Sequence, residues 1–477
     1  MLKAVLYMYR PAFARTVVYM LQAVEYSPAN FVRWFWRTSD FSRTAYRRQL
    51  IPTRPARLLL LAFRAGALIE IAAAVILAVV GISNDSASQI VLAAAVFMIT
   101  PVLWAHLILL PLVTGSWLVI KPSHALKVRR SSKVFGSHPG VKLAIAGSYG
   151  KTTMKEILLS VLSEGKKVAA TPANRNVAIS HALFAAKLEG DEDILIIEYG
   201  EGAPGDVAKF AKKTHPTAGV ITGLAPAHLD KYKTLDAAGR DIFSLGRFVK
   251  PGQLFVNGDA EAAKRFIQKA DVVFDSTGIT DWKISDVKVS KNGLDFSLNG
   301  RPGSLKIKSQ LLGRHQIAPL ALAAFLGKKY GLSDEQVKRG IAKIQPFEHR
   351  MRPYQLSGAW VIDDTYNGNI EGMKAGLALL AELKSKRKIY ITPGLVDQGA
   401  EERPVHRELG EAITKANPDK VVLMKHSVTE YILEGLADYK GQLVIEEDPL
   451  DFYTNLDKFV AAGDLVLMQN DWPDNYN

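Results

Sequence analysis

The stretch AIAGSYGKTTMKE, residues 144–156, decides the fold of the central part of this chain. It joins a short apolar run to a helical pattern through a glycine loop of the kind that binds phosphates. The usual pattern is G-x-x-x-x-G-K-[ST], but the residue five positions before Gly150 is Ile145. The first glycine is Gly147, which gives G-x-x-G-K-T-T. The residues predict a phosphate loop of altered spacing, provided that other parts of a nucleotide site follow.

Other parts of such a site do follow. VKLAIAG (141–147) predicts a buried strand before the loop, and TTMKEILLSVLSEG (152–165) an amphipathic helix after it. The runs DILIIEYG (193–200) and AGVITGL (218–224) predict further buried strands. Glu198 ends the first run and His228 follows the second, at the sheet edge where open α/β folds bind ligands. Taken alone, Glu198 is better explained as a solvated strand end and His228 as a loop histidine without a role. Beside Lys151 and Thr152, they suggest a phosphate site.

The remaining soluble sequence changes its pattern twice. KISDVKVSKNGLDFSLNGRPGSLKIKS (283–309) predicts antiparallel strands with turns at Asn292-Gly293 and Asn299-Gly300. After about residue 345, a second α/β series begins, with strands predicted in AWVIDD (359–364), KIYITPG (388–394), KVVLMKH (420–426) and LVLMQND (465–471). This pattern predicts a central nucleotide-binding domain with a mostly parallel sheet and a C-terminal Rossmann-like α/β domain.

The N-terminal part predicts a transmembrane hairpin. Leu58–Ile82 is almost wholly apolar, and Ile90–Val113 contains no Asp, Glu, Lys or Arg, so each can span about 30 Å of hydrocarbon. SNDSASQ (83–89) connects them. Arg64 and Glu70 interrupt the first run, and no Lys or Arg occurs between Arg64 and Lys121. The positive-inside rule places both flanks in the cytoplasm. The alternative is a buried helical pair of a soluble domain, which Glu70 favours; the charge asymmetry favours the membrane. Pro11 and the arginines of residues 1–36 predict an interfacial segment rather than a third span.

Composition narrows the function classes. The chain has 477 residues and no cysteine, which excludes disulfides, thiolate metal sites and a Cys nucleophile. Its net charge is +13, but residues 1–64 alone hold eleven Lys/Arg and two acids, a net of +9. Because the excess charge lies beside the predicted hairpin, we expect a membrane-lipid partner and no nucleic acid. The expected domains are a basic membrane-proximal segment (1–57), the hairpin (58–120), the central domain (121–345) and the C-terminal domain (346–477).

Seven segments, in order and spacing, resemble the Mur ligase family, and within it the members that add D-alanyl-D-alanine to a peptidoglycan precursor. The resemblance covers roughly residues 140–465. It rests on GSYGKTT (147–153), TPANRNVAIS (171–180), IIEYGEGAPGDVAKFAKKTHPTAGVITGLAPAHLD (196–230), LLGRHQIAPLALAA (311–324), HRM (349–351), VIDDTYNGNIEGM (361–373) and TPGLVDQG (392–399).

The resemblance implies an ATP-dependent carbon–nitrogen ligase of peptidoglycan and cell-wall synthesis. MgATP phosphorylates an acceptor carboxylate, and an amino acid or dipeptide attacks the acyl phosphate. By analogy, Lys151, Glu198 and His228 are catalytic, and Thr152, Glu198 and His228 hold Mg²⁺. The implied ATP contacts are Gly147, Ser148, Gly150, Lys151, Thr152, Thr153, His315, Arg350 and Asp364. The implied substrate contacts are Asn174, Asn176, Tyr366, Asn367 and Asn369.

Three departures from the family pattern qualify this picture. A lysine that becomes carbamylated and supports a second Mg²⁺ is missing, because Gly239 or Arg240 occupies its place, with Asp241 as a conceivable substitute. Gln316 and Pro319 replace the asparagines of the adenine-side pattern. The hairpin stands where a domain for the uridine-diphosphate sugar is expected, so a lipid-linked acceptor is conceivable.

The leading hypothesis is therefore a multi-pass membrane protein with cytoplasmic ligase domains. The alternatives are a catalytically weakened nucleotide-binding relative, a membrane-anchored phosphotransferase or ATPase, and a ligase of the folylpolyglutamate or cyanophycin type. The altered lysine and adenine positions favour the first alternative. Glu198, His228 and the intact loop lysine argue against a complete loss of activity.

Overall fold

The computed structural model describes residues 2–24, 26–44, 50–173, 175–226, 229–301, 303–366, 368–395 and 398–470. It divides into two compact units, Met1–Leu126 and Lys127–Asn477. The first unit is helical, and the second holds two sheets.

The first unit has six helices and the start of a seventh. They are α1 (Leu2–Tyr7), α2 (Pro11–Ala23), α3 (Pro28–Arg37), α4 (Arg54–Ser83), α5 (Ala87–Leu107), α6 (Leu109–Gly115) and α7 (Lys121–Ser137), with a 3-10 turn at Phe41–Arg43 and a π-helical turn at Ser116–Ile120. Phe13 of α2 and Phe63 of α4 pack edge to face, 5.9 Å between ring centroids, in a small core of this unit.

Helices α4 and α5 form the predicted hairpin, joined by a turn of three residues. Gly66 lets the Trp104 ring approach, since a Cβ there would lie 2.0 Å from a ring carbon. The Trp104 indole donates a hydrogen bond of 2.6 Å to Glu70. This bond gives a partner to Glu70, the one carboxylate of the apolar stretch, because burying an unpaired carboxylate is costly. Outward-facing side chains such as Ile69 and Ile76 are 70% and 64% exposed. Two helical stretches are long and apolar enough to cross a membrane. They are Arg54–Ser83, which is α4, and Ala87–Ser137, which runs from α5 to the end of α7.

The second unit begins with a ten-stranded sheet. Its strands are β1 (Val141–Ala146), β2 (Val168–Ala170), β3 (Ile194–Glu198), β4 (Ala218–Ile221), β5 (Leu254–Asn257), β6 (Val272–Asp275), β7 (Gly278–Ile279), β8 (Trp282–Ser290), β9 (Gly293–Gly300) and β10 (Gly303–Ser309). Its helices are α8 (Lys151–Leu162), α9 (Ala178–Ala185), α10 (Asp206–Thr214), α11 (Leu229–Tyr232), α12 (Leu235–Ile242), α13 (Ile317–Lys329) and α14 (Asp334–Ala342).

The order of this sheet, β10-β9-β8-β7-β6-β5-β4-β1-β3-β2, places β1 between β3 and β4. These inner strands run parallel, and Ile145 is in register with both Glu198 and Val220. The carboxyl ends of the three strands therefore meet at one edge, above which the glycine loop lies. From β6 to β10 the pairing is antiparallel.

A second, six-stranded sheet of order β11-β12-β16-β13-β14-β15 follows. Its strands are β11 (Arg352–Leu356), β12 (Ala359–Asp364), β13 (Arg387–Thr392), β14 (Lys420–Met424), β15 (Gln442–Glu446) and β16 (Asp464–Gln469). Its helices are α15 (Ile370–Glu382), α16 (Glu402–Ala416), α17 (Thr429–Gly435), α18 (Pro449–Thr454) and α19 (Leu456–Phe459). Only β11 pairs antiparallel among these described strands.

The predicted fold class is confirmed, namely mixed α/β with parallel-rich sheets behind an N-terminal helical hairpin. One predicted turn is wrong, because β9 continues through Asn299 to Gly300 and the chain reverses only after it. Asn299 is held in the strand, where its side chain donates to the Ser285 hydroxyl across the pair. The domain boundaries predicted at residues 58, 121 and 346 stay a prediction.

Candidate active site

The glycine loop depends on two backbone conformations that favour glycine. Gly147 has φ 144° and Gly150 has φ 73°. At Gly147 a Cβ would lie 2.3 Å from the Thr222 hydroxyl oxygen, so a side chain there is excluded by space as well. Ser148 N–H donates to Gly223 O at 3.0 Å, and the Thr222 hydroxyl donates to Tyr149 O. The loop is therefore fastened to the end of β4, with the N-terminus of α8 directly behind it, a position that suits phosphate.

Lys151, the first residue of α8, is held close to the loop. Its Nζ donates to Gly147 O at 2.5 Å and to Glu201 Oε1 at 2.9 Å. Glu201 Oε2 is 2.8 Å from the same nitrogen. The lysine side chain is 12% exposed and that of Glu201 6%, so this ion pair is largely withdrawn from water.

Glu198 is the second carboxylate at this edge of the sheet. Its Oε1 accepts from the Thr152 hydroxyl at 3.1 Å and from Asn176 Nδ2 at 3.3 Å. Its Oε2 lies 3.4 Å from Lys155 Nζ but has no hydrogen-bond partner among the described residues. Lys155 is fully buried and also donates to Ala173 O. Thr152, predicted as a metal ligand, and Asn176, predicted as a substrate contact, thus both bind Glu198.

These residues fit a magnesium ion. Hydroxyl and carboxylate oxygens are the donors that Mg²⁺ prefers, and Glu198 Oε2 is a buried oxygen with unused hydrogen-bonding capacity. In the described ranges, no group of three or more His, Asp or Glu is arranged for a metal. The predicted His228, together with Asn174 and Asn367, lies outside the described residues.

A cavity of about 450 Å³ adjoins the loop and is lined by both sheets' loops. Seven of the predicted residues line it, namely Gly150, Thr153, His315, Arg350, Asp364, Tyr366 and Asn369. The side-chain oxygen of Asn369 already accepts from Gly372 N–H at 3.0 Å, which caps α15. The cavity is of a size that suits a nucleotide or a part of the substrates.

Arg350 and Asp364 carry the charge on the C-terminal side of this cavity. The Arg350 guanidinium stacks over the Tyr366 ring at 4.2 Å. Asp364 accepts from Gln469 Nε2 at 2.7 Å and from Met351 N–H at 3.2 Å. Burial raises the pKa of Asp364 to about 7, although these hydrogen bonds and the Arg350 charge oppose the shift. The carboxyl is therefore partly protonated at neutral pH in the free protein.

The absence of the family's lysine has a structural explanation in α12. A Cβ on Gly239 would lie 2.4 Å from the Phe266 ring, so no side chain fits there. Arg240 is exposed. Asp241 accepts from the Tyr232 hydroxyl at 2.8 Å, and burial raises the pKa of Asp241. Because Asp241 is committed to Tyr232, the suggestion that it helps to hold a metal has no support.

The adenine-side substitutions lie in the cavity itself. Gln316 and Pro319 both line it. Gln316 Nε2 is 2.9 Å from His315 Nε2, and its Oε1 has no hydrogen-bond partner in the described part of the chain. Gln316 thus has an acceptor available to a ligand, whereas Pro319 has neither a side-chain donor nor an acceptor.

The sequence interpretation missed Glu201 and Lys155. Lys155 lies one helical turn after Lys151, on the same face of α8, and no local pattern in the sequence marks this lysine as buried. Glu201 follows the end of β3 by three residues, in a stretch where side-chain direction has no simple period. A search for acids close behind a strand end that already carries Glu198 would have found it.

Comparison with known proteins agrees with this architecture. The Mur ligase middle domain matches residues 145–327, and the Mur ligase, glutamate ligase domain matches residues 349–469. The UDP-N-acetylmuramoyl-tripeptide–D-alanyl-D-alanine ligase of Escherichia coli (strain K12) is 28% identical over 293 residues, which are 60% of this chain and 64% of the relative. The enzyme of the same name from Bacillus subtilis (strain 168) is 24% identical over 339 residues, 69% of this chain and 72% of the relative. The chain therefore spans somewhat less than two thirds of the first relative.

Solved structures show the same fold. MurF from Acinetobacter baumannii superposes with a TM-score of 0.63 at 21% identity, covering 73% of this chain and 77% of that one. The MurF ligase from Thermotoga maritima in complex with ADP gives a TM-score of 0.63 at 21% identity, over 73% and 80%.

Proposed function

Because this chain belongs to the Mur ligase family, we propose that it is an ATP-dependent ligase that joins an acceptor carboxylate to an amine through an acyl phosphate. The acceptor is a peptidoglycan-type precursor, and the amino component is D-alanyl-D-alanine. The observation that carries the proposal is the glycine loop with Lys151, Thr152 and Glu198 on one side and a cavity with Arg350 and Asp364 next to it.

The chain's own residues divide the work by position. The loop N–H groups and the N-terminus of α8 face the phosphates, and Lys151 offsets the charge of the transferred phosphoryl group. Arg350 and Asp364 approach the nucleotide from the other side of the cavity. Asn176, which holds Glu198 from the acceptor side, and Tyr366 orient the two substrates. Closure around the cavity excludes water, which would hydrolyse the acyl phosphate.

Thr152 and Glu198 would hold Mg²⁺, with His228 as a third predicted ligand. A bound Mg²⁺ supplies charge neutralisation of the phosphate oxygens. The Thr152 hydroxyl now donates to Glu198 and would turn its oxygen lone pair to the ion instead.

We place the ligase at the cytoplasmic face of the cell membrane, anchored by α4 and α5. The Lys and Arg residues that flank the hairpin support this orientation. Membrane lipid is then a partner of the hairpin, and a lipid-linked acceptor would lie in the same membrane.

The test follows phosphate release from ATP by the full chain. UDP-N-acetylmuramoyl-tripeptide, or a lipid-linked acceptor, is supplied with and without D-alanyl-D-alanine, and the amide product is identified by mass spectrometry. We expect release that depends on both the acceptor and the amine. Release without an amine indicates an ATPase, and nucleotide binding without release indicates the catalytically weakened relative. The control variant of the chain is Glu164→Gln. It removes a carboxylate just after the C-terminal end of α8, where Glu164 pairs with Arg339.

A further inference from the structure

The loop lysine is not free in this structure. Both oxygens of Glu201 lie within 3 Å of Lys151 Nζ, and the glutamate is almost fully buried. Only Oε1 has hydrogen-bond geometry, since Oε2 at 2.8 Å has no aligned donor among the described residues. Among the described residues, the negative charge of Glu201 is therefore compensated by the ammonium group of Lys151 alone.

The two carboxylates of this sheet edge are arranged alike. Glu201 faces Lys151, and Glu198 faces Lys155, which is also 3.3 Å from the Glu156 carboxylate. Both acids are at least nine-tenths buried, and each retains an oxygen without a hydrogen bond in the described residues. The charge of Glu201 is balanced only while Lys151 stays in place.

Nucleotide binding breaks this balance. ATP brings several negative charges to the loop, and Lys151 must turn to the phosphates to neutralise them. Glu201 is then a buried carboxylate without a counter-ion, next to the anionic phosphates, which is strongly unfavourable. A cation that replaces the ammonium group supplies the missing counter-ion of Glu201 and also removes the repulsion between Glu201 and the phosphates. Carboxylate and phosphate oxygens favour a hard divalent cation.

We propose that Glu201 exchanges Lys151 for a divalent cation when nucleotide phosphates occupy the loop. This cation is distinct from the one assigned to Thr152 and Glu198, and Glu201 is its protein ligand. The inference rests on the proposed function in that nucleotide must bind at this loop. It makes Lys151 and the second cation alternative partners of one carboxylate.

The first experiment counts bound Mn²⁺ by electron paramagnetic resonance in the full chain saturated with a non-hydrolysable ATP analogue. We expect about two ions per chain for the wild type and one fewer for Glu201→Gln, while Glu201→Asp keeps the second ion with weaker affinity. In EDTA, Glu201→Gln should bind the nucleotide at least about tenfold more tightly, because Lys151 is released. Glu164→Gln should match the wild type in both measurements. An unchanged ion count in Glu201→Gln overturns the proposal, as does weaker nucleotide binding in EDTA, which would make Glu201 a positioning residue of Lys151.

A second experiment needs no nucleotide. In Lys151→Ala the carboxylate has lost its ammonium partner, so Mn²⁺ should bind one extra site without nucleotide, and Lys151→Ala/Glu201→Gln should lose it. If Lys151→Ala binds no extra Mn²⁺, the proposal is wrong. A wild-type chain that binds no nucleotide contradicts the proposed function, whereas this experiment still decides the role of Glu201.

Discussion

At the scale of single residues, Lys151 has two roles, which a second substitution at Glu201 would separate. It faces the phosphates in the proposed reaction, and it compensates the buried Glu201 in the free protein. We expect Lys151→Ala to lower turnover by about 10²-fold or more, as for the loss of one charge-stabilising group. The variant should also lose stability, on the order of 3 kcal/mol, because an unpaired carboxylate stays buried. Steady-state kinetics and denaturant unfolding measure the two effects.

The double variant Lys151→Ala/Glu201→Gln is the control for this prediction. It removes the stranded charge, so most of the lost stability should return while turnover stays low. The sequence alone does not reveal the pairing of Lys151 with Glu201, and so it gives no sign of this stability cost. Equal stability of Lys151→Ala and wild type would contradict the burial of this ion pair.

Asp364 makes stability depend on pH in an unusual direction. Its folded pKa of about 7 lies above the ordinary 3.8, so the folded chain keeps a proton that the unfolded chain loses between these values. The free energy of unfolding therefore falls as the pH rises from about 4 to 7. Asn cannot ionise, so Asp364→Asn should be more stable than the wild type at pH 8, by about 2–4 kcal/mol, and nearly equal at pH 4.

Unfolding at pH 4, 6 and 8 without nucleotide measures this effect. Asp464→Asn is the matched control in the same sheet. Burial alone would raise the pKa of Asp464, but hydrogen bonds from Arg387 lower it overall. Its substitution should therefore cost stability at pH 8. A stability difference for Asp364→Asn that is the same at all three pH values would show that Asp364 titrates normally.

At the scale of elements, α12 has no place for a carbamylated lysine. Gly239 is covered by the Phe266 ring, and Arg240 stays protonated and cannot form a carbamate. We expect the rate to be indifferent to bicarbonate and to CO₂ depletion, while Mg²⁺ stays essential. The measurement compares rates in degassed and bicarbonate-supplemented buffer across a Mg²⁺ titration. Stimulation of the wild type by bicarbonate would mean that another lysine, such as Lys231 or Lys233, has taken the role.

A strand or helix is predictable from sequence when its burial leaves a local pattern of apolar residues. The inner strands were predicted because burial on both faces leaves a continuous apolar run, as in Ile194–Glu198. The helix after the loop was predicted because its apolar residues repeat on one face. The chain reverses directly after Gly300 instead of at Asn299-Gly300. Asn-Gly favours a turn, but a cross-strand hydrogen bond of Asn299 overrides that local preference. Contacts such as Lys151 with Glu201 depend on tertiary packing and have no local signature.

At the scale of the whole molecule, the helical unit and the ligase unit have separate cores. The apolar side chains of α4 and α5 that face outwards are too numerous for a helix pair exposed to water. The net charge of +9 on residues 1–64 adds attraction to an anionic lipid surface. Both features support the proposal that lipid covers the hairpin.

We therefore expect the full chain to sediment with membranes and to resist extraction by high salt or alkaline carbonate, since hydrocarbon burial of two spans is independent of ionic strength. Detergent should release it. A fragment that begins at Lys127 should remain in the supernatant and still bind ATP, because the loop, Glu198 and the cavity all lie within that unit. In the matched control, the basic residues Arg54, Arg57 and Arg64 are changed to Gln. This variant should differ in membrane orientation or in salt sensitivity but should stay bound to the membrane. Release of the full chain by salt alone would show that the hairpin lies on the membrane surface or packs as a soluble helical pair.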